Sequence, residues 1–330
     1  MNNFSVISST LSPADIGYFV SKKYSLANDT ACKLLKTGIN HTYQIDSNNE
    51  NFIFRVYCYN WRTREEIMEE LHLLDLLKQN DIAVSYPIAD NQGNFIQTIP
   101  APEGERFAVL FSFAPGNKIL NYNKEIHFEI GKLIAQIHRL TEGLKQNRTS
   151  YTADVLLKDS IDHIKSFLSS DTEEMQFLLT TRPILEAEIL NADLHSIRKG
   201  VVHLDIWFDN LNISHNKITL FDFDFCGNGW LCLDIAYYIM QLYNTEKIEA
   251  ERKEKINSFL KGYETIQKIS EEEKRLMPTL GVCLYYFYLG IQCKRFDNWS
   301  NTFLNEVYLK RYIIVLIKGY YEATKLHDIL

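Results

Sequence analysis

The sequence predicts an α+β fold of two lobes, a largely antiparallel sheet lobe at residues 1–113 and a mainly helical lobe at 114–330. Three observations lead there. The first third alternates apolar and polar positions between Gly, Asn and Pro turn clusters, the period of half-buried strands. After "APGNKI" the apolar spacing becomes that of amphipathic helices and holds almost to the end. At 330 residues the chain is also too long for a typical single core, so each lobe is expected to bury its own.

"LSPADIGYFVSKKY" opens with a helix start. Ser12 caps, Pro13 suits the first helical position, and Asp15 stands where a capping acid belongs. "HTYQI" and "NFIFRVY" flank the polar cluster "DSNNEN" and read as a hairpin. Phe52, Phe54 and Val56 share one face of its second strand; Ile53, Arg55 and Tyr57 share the other. "TREEIMEELHLLDLLKQN" spaces Ile67, Leu71, Leu74 and Leu77 as a helix does and places its acids early, where the helix dipole favours them. "AVSYPIA", "NFIQTI" and "RFAVLFSFA" are three further strands. In the second lobe, helices are expected at "HFEIGKLIAQIHRL" and around 153–169, 172–199, 230–244, 248–268, 270–298 and 303–325. One strand-like island, residues 200–226, interrupts them with "VVHL", "LNIS" and "ITLFDF".

Composition narrows the function classes. Apolar content of 46% and charged content of 23% are ordinary for a soluble domain, and a net charge of −7 argues against a nucleic-acid partner. The longest apolar run, "VCLYYFYLGI", is about half the ~20 residues of a membrane span, so it reads as a buried helix and no membrane partner is expected. The first residues show no secretory pattern. The cysteines Cys32, Cys58, Cys226, Cys232, Cys283 and Cys293 include no C-x-x-C pair, so free thiols in a reducing cytoplasm are expected. No H-E-x-x-H pattern suggests a zinc site.

Within the island, "VVHLDIWFDNLNI" places polar residues that packing does not explain. Its strand positions account for Val201, Val202, Leu211 and Ile213, but not for Asp205 and Asn210. His203, Asp205 and Asn210 stand as H-x-D-x-x-x-x-N, the spacing of the protein-kinase catalytic loop. Phosphoryl transfer explains that spacing. An aspartate accepts a hydrogen bond from the attacking hydroxyl, and an amide oxygen a few residues on reaches Mg²⁺ on the same phosphates. Asp222 follows "ITLF" one hairpin later, where a second metal ligand belongs.

"VVHLDIWFDNLNI" together with "ITLFDFDFCGNGWLCLDIA" resembles the phosphotransferase family of aminoglycoside phosphotransferases, choline kinases and type II homoserine kinases. The resemblance is nearest to the homoserine kinases and the bacterial stress-response kinase. It spans about residues 30–325 and is sharp at 201–236. It implies a bilobal protein-kinase-like fold, with a nucleotide-binding N-terminal lobe and a C-terminal lobe carrying the catalytic loop and acceptor site. It also implies an ATP- and Mg²⁺-dependent kinase acting on a hydroxyl of a small molecule such as an amino alcohol, amino acid or aminoglycoside. The alternatives are a protein Ser/Thr kinase of the stress-response type and a nucleotide-binding pseudokinase.

Carried onto this chain, the resemblance makes Asp205 the base and Asn210 and Asp222 the Mg²⁺ ligands. His203 becomes a brace and Asp234 a carboxylate that ties the loop together. Asp224 could help with metal or substrate, or merely sit at the turn. Arg55 takes the place of the strand lysine that grips the nucleotide phosphates, with Glu70 as its partner and Glu69 as the competitor. Gly38 and Asn40 lie in the phosphate-covering loop. Phe111 and Phe113, in "LFSFAPG", lie in the segment whose backbone would meet the adenine.

The chain departs from the family pattern at three places: Arg55 for lysine, a glycine-poor phosphate loop, and "HLDIWFDN" with Leu204 for glycine and Trp207 for histidine. Leu204 is expected to hold an ordinary φ, where glycine would be free. Trp207 and Phe208 either line the acceptor pocket or pack the loop down. Acceptor specificity is expected around Tyr285, Tyr286, Arg295, Asp297 and Trp299.

Overall fold

The computed structural model describes residues 4–215 and 217–324, and the chain has the α+β protein-kinase-like architecture. Its backbone divides into two compact units. One is Met1–Pro115 with Asp297–Trp299; the other is Gly116–Phe296 with Ser300–Leu330.

The first unit opens with helix α1 (Pro13–Lys23), capped by the Ser12 side chain, which accepts from the Asp15 N–H. Strands β1 (Ala31–Lys36), β2 (Asn40–Ser47) and β3 (Glu50–Tyr57) follow. Then come α2 (Arg64–Gln79), β4 (Pro87–Ile88), β5 (Ile96–Ala101) and β6 (Gly104–Ser112). The sheet runs β1-β2-β3-β6-β4 with β5 also on β6, and all its pairs are antiparallel.

The "DSNNEN" cluster closes the β2–β3 hairpin because Asn48 and Asn49 take φ of 49° and 65°, a region asparagine tolerates better than most residues. Ile16 and Val20 of α1 share one core with Tyr43, Ile45, Phe54, Val56 and Leu110 of the sheet. "AVSYPIA" yields only the two-residue β4. Its Pro87 has no N–H to give to a ladder.

The second unit contains α3 (Lys124–Thr141), α4 (Asp159–Ile164) and α5 (Glu173–Leu190). A short-stranded region follows: β7 (Lys199–Val202), β8 (Leu211–Ser214), β9 (Lys217–Leu220) and β10 (Gly227–Trp230). It ends with α6 (Cys232–Thr245), α7 (Glu249–Glu264), α8 (Glu271–Lys294), α9 (Glu306–Arg311) and α10 (Gly319–Thr324). Two antiparallel pairs, β7–β10 and β8–β9, frame the loop that follows β7.

Two expected boundaries shift. The helix expected over 172–199 stops at Leu190. Asp193 then turns the chain, its carboxylate accepting from the His195 N–H and the Ser196 hydroxyl. The "GNGW" stretch, whose Trp230 was expected to open the next helix, forms β10. A Cβ at Gly227 would lie 2.5 Å from the Thr149 carbonyl oxygen, so glycine serves a close backbone approach there.

Helix α8 is long and apolar enough to cross a membrane by length and composition, but 83% of its most apolar window is buried within the protein. Helices α3 and α7 meet almost backbone to backbone. A Cβ at Gly131 would lie 2.0 Å from the Phe259 carbonyl oxygen, and one at Gly262 would lie 2.0 Å from that of Phe128.

That contact decides the sign of a substitution. Alanine in place of Gly131 gains about 1 kcal/mol of helix propensity, but it forces two backbones apart. Gly131→Ala is expected to destabilise the protein by about 1–3 kcal/mol net, measured by urea denaturation. An unchanged or raised midpoint would contradict the packing.

Candidate active site

Strand β7 buries Val201 and Val202 and delivers the chain to His203, which is 2% exposed. The turn that follows is not the one expected. Leu204 has φ of +63°, in the left-handed region, where the sequence reading expected an ordinary value. An L-residue there costs about 1–2 kcal/mol, and two buried groups oppose the cost. The Asp234 carboxylate, on the first turn of α6, accepts from the N–H groups of His203 (2.9 and 3.1 Å) and Leu204 (2.7 Å). The Tyr288 hydroxyl of α8 donates to the Leu204 carbonyl at 2.5 Å. The Leu204 side chain is fully buried, so packing fixes the same backbone. Asp234 is in turn met by His138 Nε2 at 3.0 Å, and His138 Nδ1 by the Tyr263 hydroxyl at 2.7 Å.

The loop orients two polar side chains. His203 Nδ1 accepts from the Asp205 N–H at 3.0 Å, so the ring proton sits on Nε2 and points to the Phe221 carbonyl at 3.2 Å. Asn210 donates through Nδ2 to the Asp205 carboxylate at 2.7 Å and to its carbonyl at 3.0 Å. A carboxylate only accepts, so the amide's nitrogen must face Asp205 and its oxygen Oδ1 must face away. The Tyr237 hydroxyl donates to the other Asp205 oxygen at 2.6 Å. Burial, and then the Asp205 charge, push the Tyr237 phenol well above its usual range, so it stays a donor. These two bonds orient Asp205, one on each carboxylate oxygen.

The β8–β9 hairpin carries the third group. Leu211 pairs with Leu220, and the Phe221 N–H donates to the Asn210 carbonyl at 3.1 Å. Asp222 therefore follows directly on a backbone bond to Asn210. It takes φ of +66° before a 3₁₀ turn, Phe223–Phe225. Asp224 is buried in that turn, where its carbonyl accepts from Arg148. Beside the loop, Lys118 pairs with Asp209 at 2.7 Å, on the surface. Among the described residues no three His, Cys, Asp or Glu side chains gather as a metal cluster. The donors here are one amide oxygen and carboxylates, the hard set that suits Mg²⁺ when phosphates supply further ligands.

In the first unit Arg55 and Glu70 form a buried ion pair of 2.8 Å, with Arg55 8% exposed and Glu70 fully buried. Glu70 also accepts from the Tyr57 hydroxyl at 3.1 Å. Of the two glutamates left open by the sequence, Glu70 is the one buried against Arg55. The Arg55 guanidinium lies 5.0 Å from the Phe111 ring centre, over β6. Phe113 stands one residue beyond the end of β6. The Asn40 side-chain oxygen accepts from the Cys58 N–H at 3.3 Å, fastening the start of β2 to the end of β3.

The structure thus brings Asp205, Asn210 and Asp222 together on one loop and hairpin of the second unit. It places Arg55, Glu70, Gly38, Asn40, Phe111 and Phe113 in the first. Sequence reasoning missed Tyr237, Tyr288 and His138. Tyr237 had a signal: it lies three positions after Asp234, on the same face of α6. Tyr285 and Tyr286, expected near the acceptor, are core residues instead. Their hydroxyls bond Asn244 and the Leu178 carbonyl, because "YYFY" falls on the buried length of α8.

Two substitutions test this construction. Asp234→Asn removes an acceptor from buried N–H groups and is expected to cost about 3 kcal/mol in urea denaturation. Tyr237→Phe is expected to keep the fold while slowing turnover about ten- to a hundred-fold, on the 1.5–3 kcal/mol scale of a hydrogen bond to a charged group. A Tyr237→Phe enzyme as fast as the parent would remove Tyr237 from the site.

An amicoumacin kinase of Bacillus subtilis is 23% identical over 291 residues, 83% of this chain and 83% of that protein. A homoserine kinase of Polaromonas naphthalenivorans is 23% identical over 254 residues, 74% of this chain and 75% of that protein. A solved amicoumacin kinase, in complex with AMP-PNP, Ca²⁺ and Ami, superposes with a TM-score of 0.77 at 18% identity, covering 95% of this chain and 94% of that one. Residues 31–269 match the phosphotransferase enzyme family, and the chain is a member of that family of enzymes.

Proposed function

We propose that the protein transfers the γ-phosphate of ATP, with Mg²⁺, to a hydroxyl of a small molecule. The observation that carries this reading is the Asp205–Asn210 pair, with Asp222 held one residue beyond its backbone bond. A base and hard oxygen donors gather there on one rigid turn. Support also comes from the relatives, named for small-molecule acceptors, and from the solved neighbour with AMP-PNP and Ca²⁺.

Each residue then has a task. Asp205, held by Tyr237 and Asn210, accepts the hydrogen bond of the acceptor hydroxyl and takes its proton as the phosphate bond forms. Asn210 Oδ1 and the Asp222 carboxylate hold Mg²⁺, which when bound neutralises charge on the transferred phosphate. Arg55, fixed by Glu70, contacts the nucleotide phosphates. Its planar fork gives a different donor geometry from lysine, while the charge is kept. Gly38 and Asn40 cover the phosphates, and the backbone from Phe111 to Phe113 meets the adenine. All six cysteines are free thiols, which supports a cytoplasmic enzyme.

Incubation with Mg²⁺-ATP and a panel of amino alcohols, hydroxy amino acids and aminoglycosides reads the transfer directly, with Asp205→Asn as the blank. The variant is expected to be slower by about a thousand-fold, and Mg²⁺-ATP is expected to raise the melting temperature of both proteins. Wild-type transfer no faster than the blank across the panel would end the kinase reading.

A further inference from the structure

Beside the loop, within the second unit, lies a small cavity of about 20 Å³, room for one water-sized group. Two buried polar atoms on its lining residues have no hydrogen-bond partner: the indole Nε1 of Trp207 and the imidazole Nε2 of His127. His127 is 2% exposed, and its other ring nitrogen meets the Tyr238 hydroxyl at 2.7 Å. That hydroxyl lies 3.2 Å from the hydroxyl of Tyr122. Gln241 also lines the cavity, one helical turn along α6 from Tyr237, the residue that holds Asp205, and Trp207 stands two residues after Asp205.

Leaving two such atoms unpaired costs about 1–3 kcal/mol each, so the site is built for a polar guest. The Trp207 indole only donates. Burial, and then the Lys255 ammonium, lower the His127 pKa to about 3, so the ring is neutral. Lys255 is itself matched by Glu246 and Asn121, each at 2.6 Å. An ammonium, which also only donates, finds no acceptor at Trp207. An oxygen offers lone pairs to the indole. A hydroxyl satisfies His127 Nε2 in either tautomer, and a carboxylate satisfies it in the protonated one.

We propose that this cavity holds a second oxygen of the phosphate acceptor, a hydroxyl or carboxylate a few bonds from the hydroxyl at Asp205, and that Trp207 and His127 select for it. This rests on the phosphotransfer reading. It makes Trp207 a specificity residue and excludes acceptors whose only other polar group is an amine.

The test observes binding without turnover. In protein labelled with ¹⁵N at its four tryptophan indoles, Trp207→Phe assigns the Trp207 N–H signal. Glycerol and L-homoserine, each with a second oxygen, are expected to shift that signal saturably. Choline and aminopropanol, with one oxygen and a cationic nitrogen, are expected to leave it in place. His127→Phe, or His127→Gln should the first not fold, is expected to weaken the glycerol and homoserine response at least ten-fold. The proposal is overturned if no probe moves the signal and it exchanges only with water, if the amines move it equally, or if the His127 variant binds as the parent does. Because no ATP is present, these outcomes stand apart from a failure of phosphate transfer.

Discussion

The buried carboxylate of Asp234 is the constraint on which the rest of the active loop depends. It sits at the start of α6 with 1% exposure, accepts the N–H groups of His203 and Leu204, and meets His138. A carboxylate out of water is tolerated only when its lone pairs are filled. Here they are filled by the very backbone groups whose direction defines the turn. The turn is therefore tied through His138 and Tyr263 to α3 and α7, the helix pair that meets at Gly131 and Gly262. Loop geometry is inherited from helix packing far along the chain.

Around that anchor the work divides cleanly. His203, Asp234 and Tyr288 act on the backbone. Tyr237 and Asn210 act on the Asp205 side chain, one on each oxygen. The arrangement uses neutral donors on the Asp205 carboxylate. A cation in place of Tyr237 would bind the carboxylate more strongly and leave it a poorer acceptor. In the first unit the logic is reversed, since Arg55 and Glu70 are opposite charges buried against each other, and Tyr57 shares the glutamate.

Much of this was legible in the sequence, for a physical reason. Asp205 and Asn210 stand out because a strand with apolar neighbours has no use for them. The hairpin at Asn48 and Asn49 was readable because few residues accept that backbone. Glu70 and Glu69 stood as alternatives in the sequence, and only burial against Arg55 separates them. The φ of Leu204 was not readable, because leucine's own preference points elsewhere and tertiary bonds override it. Strand β10 was hidden in "GNGW", whose glycines serve a close contact and weaken every strand signal. Tyr237 was hidden by its surroundings, since an aromatic inside "CLDIAYYIM" looks like core and differs from core only at its hydroxyl.

The left-handed leucine has a consequence for how such a loop changes over time. Glycine at this position would relieve the backbone, but it would also empty a fully buried space, and large-to-small core changes cost about 2–5 kcal/mol. The relief of about 1–2 kcal/mol is the smaller quantity. A lone Leu204→Gly substitution is therefore uphill unless neighbours grow to fill the gap. A search that demands the glycine will pass over loops of this kind, although their polar geometry is intact.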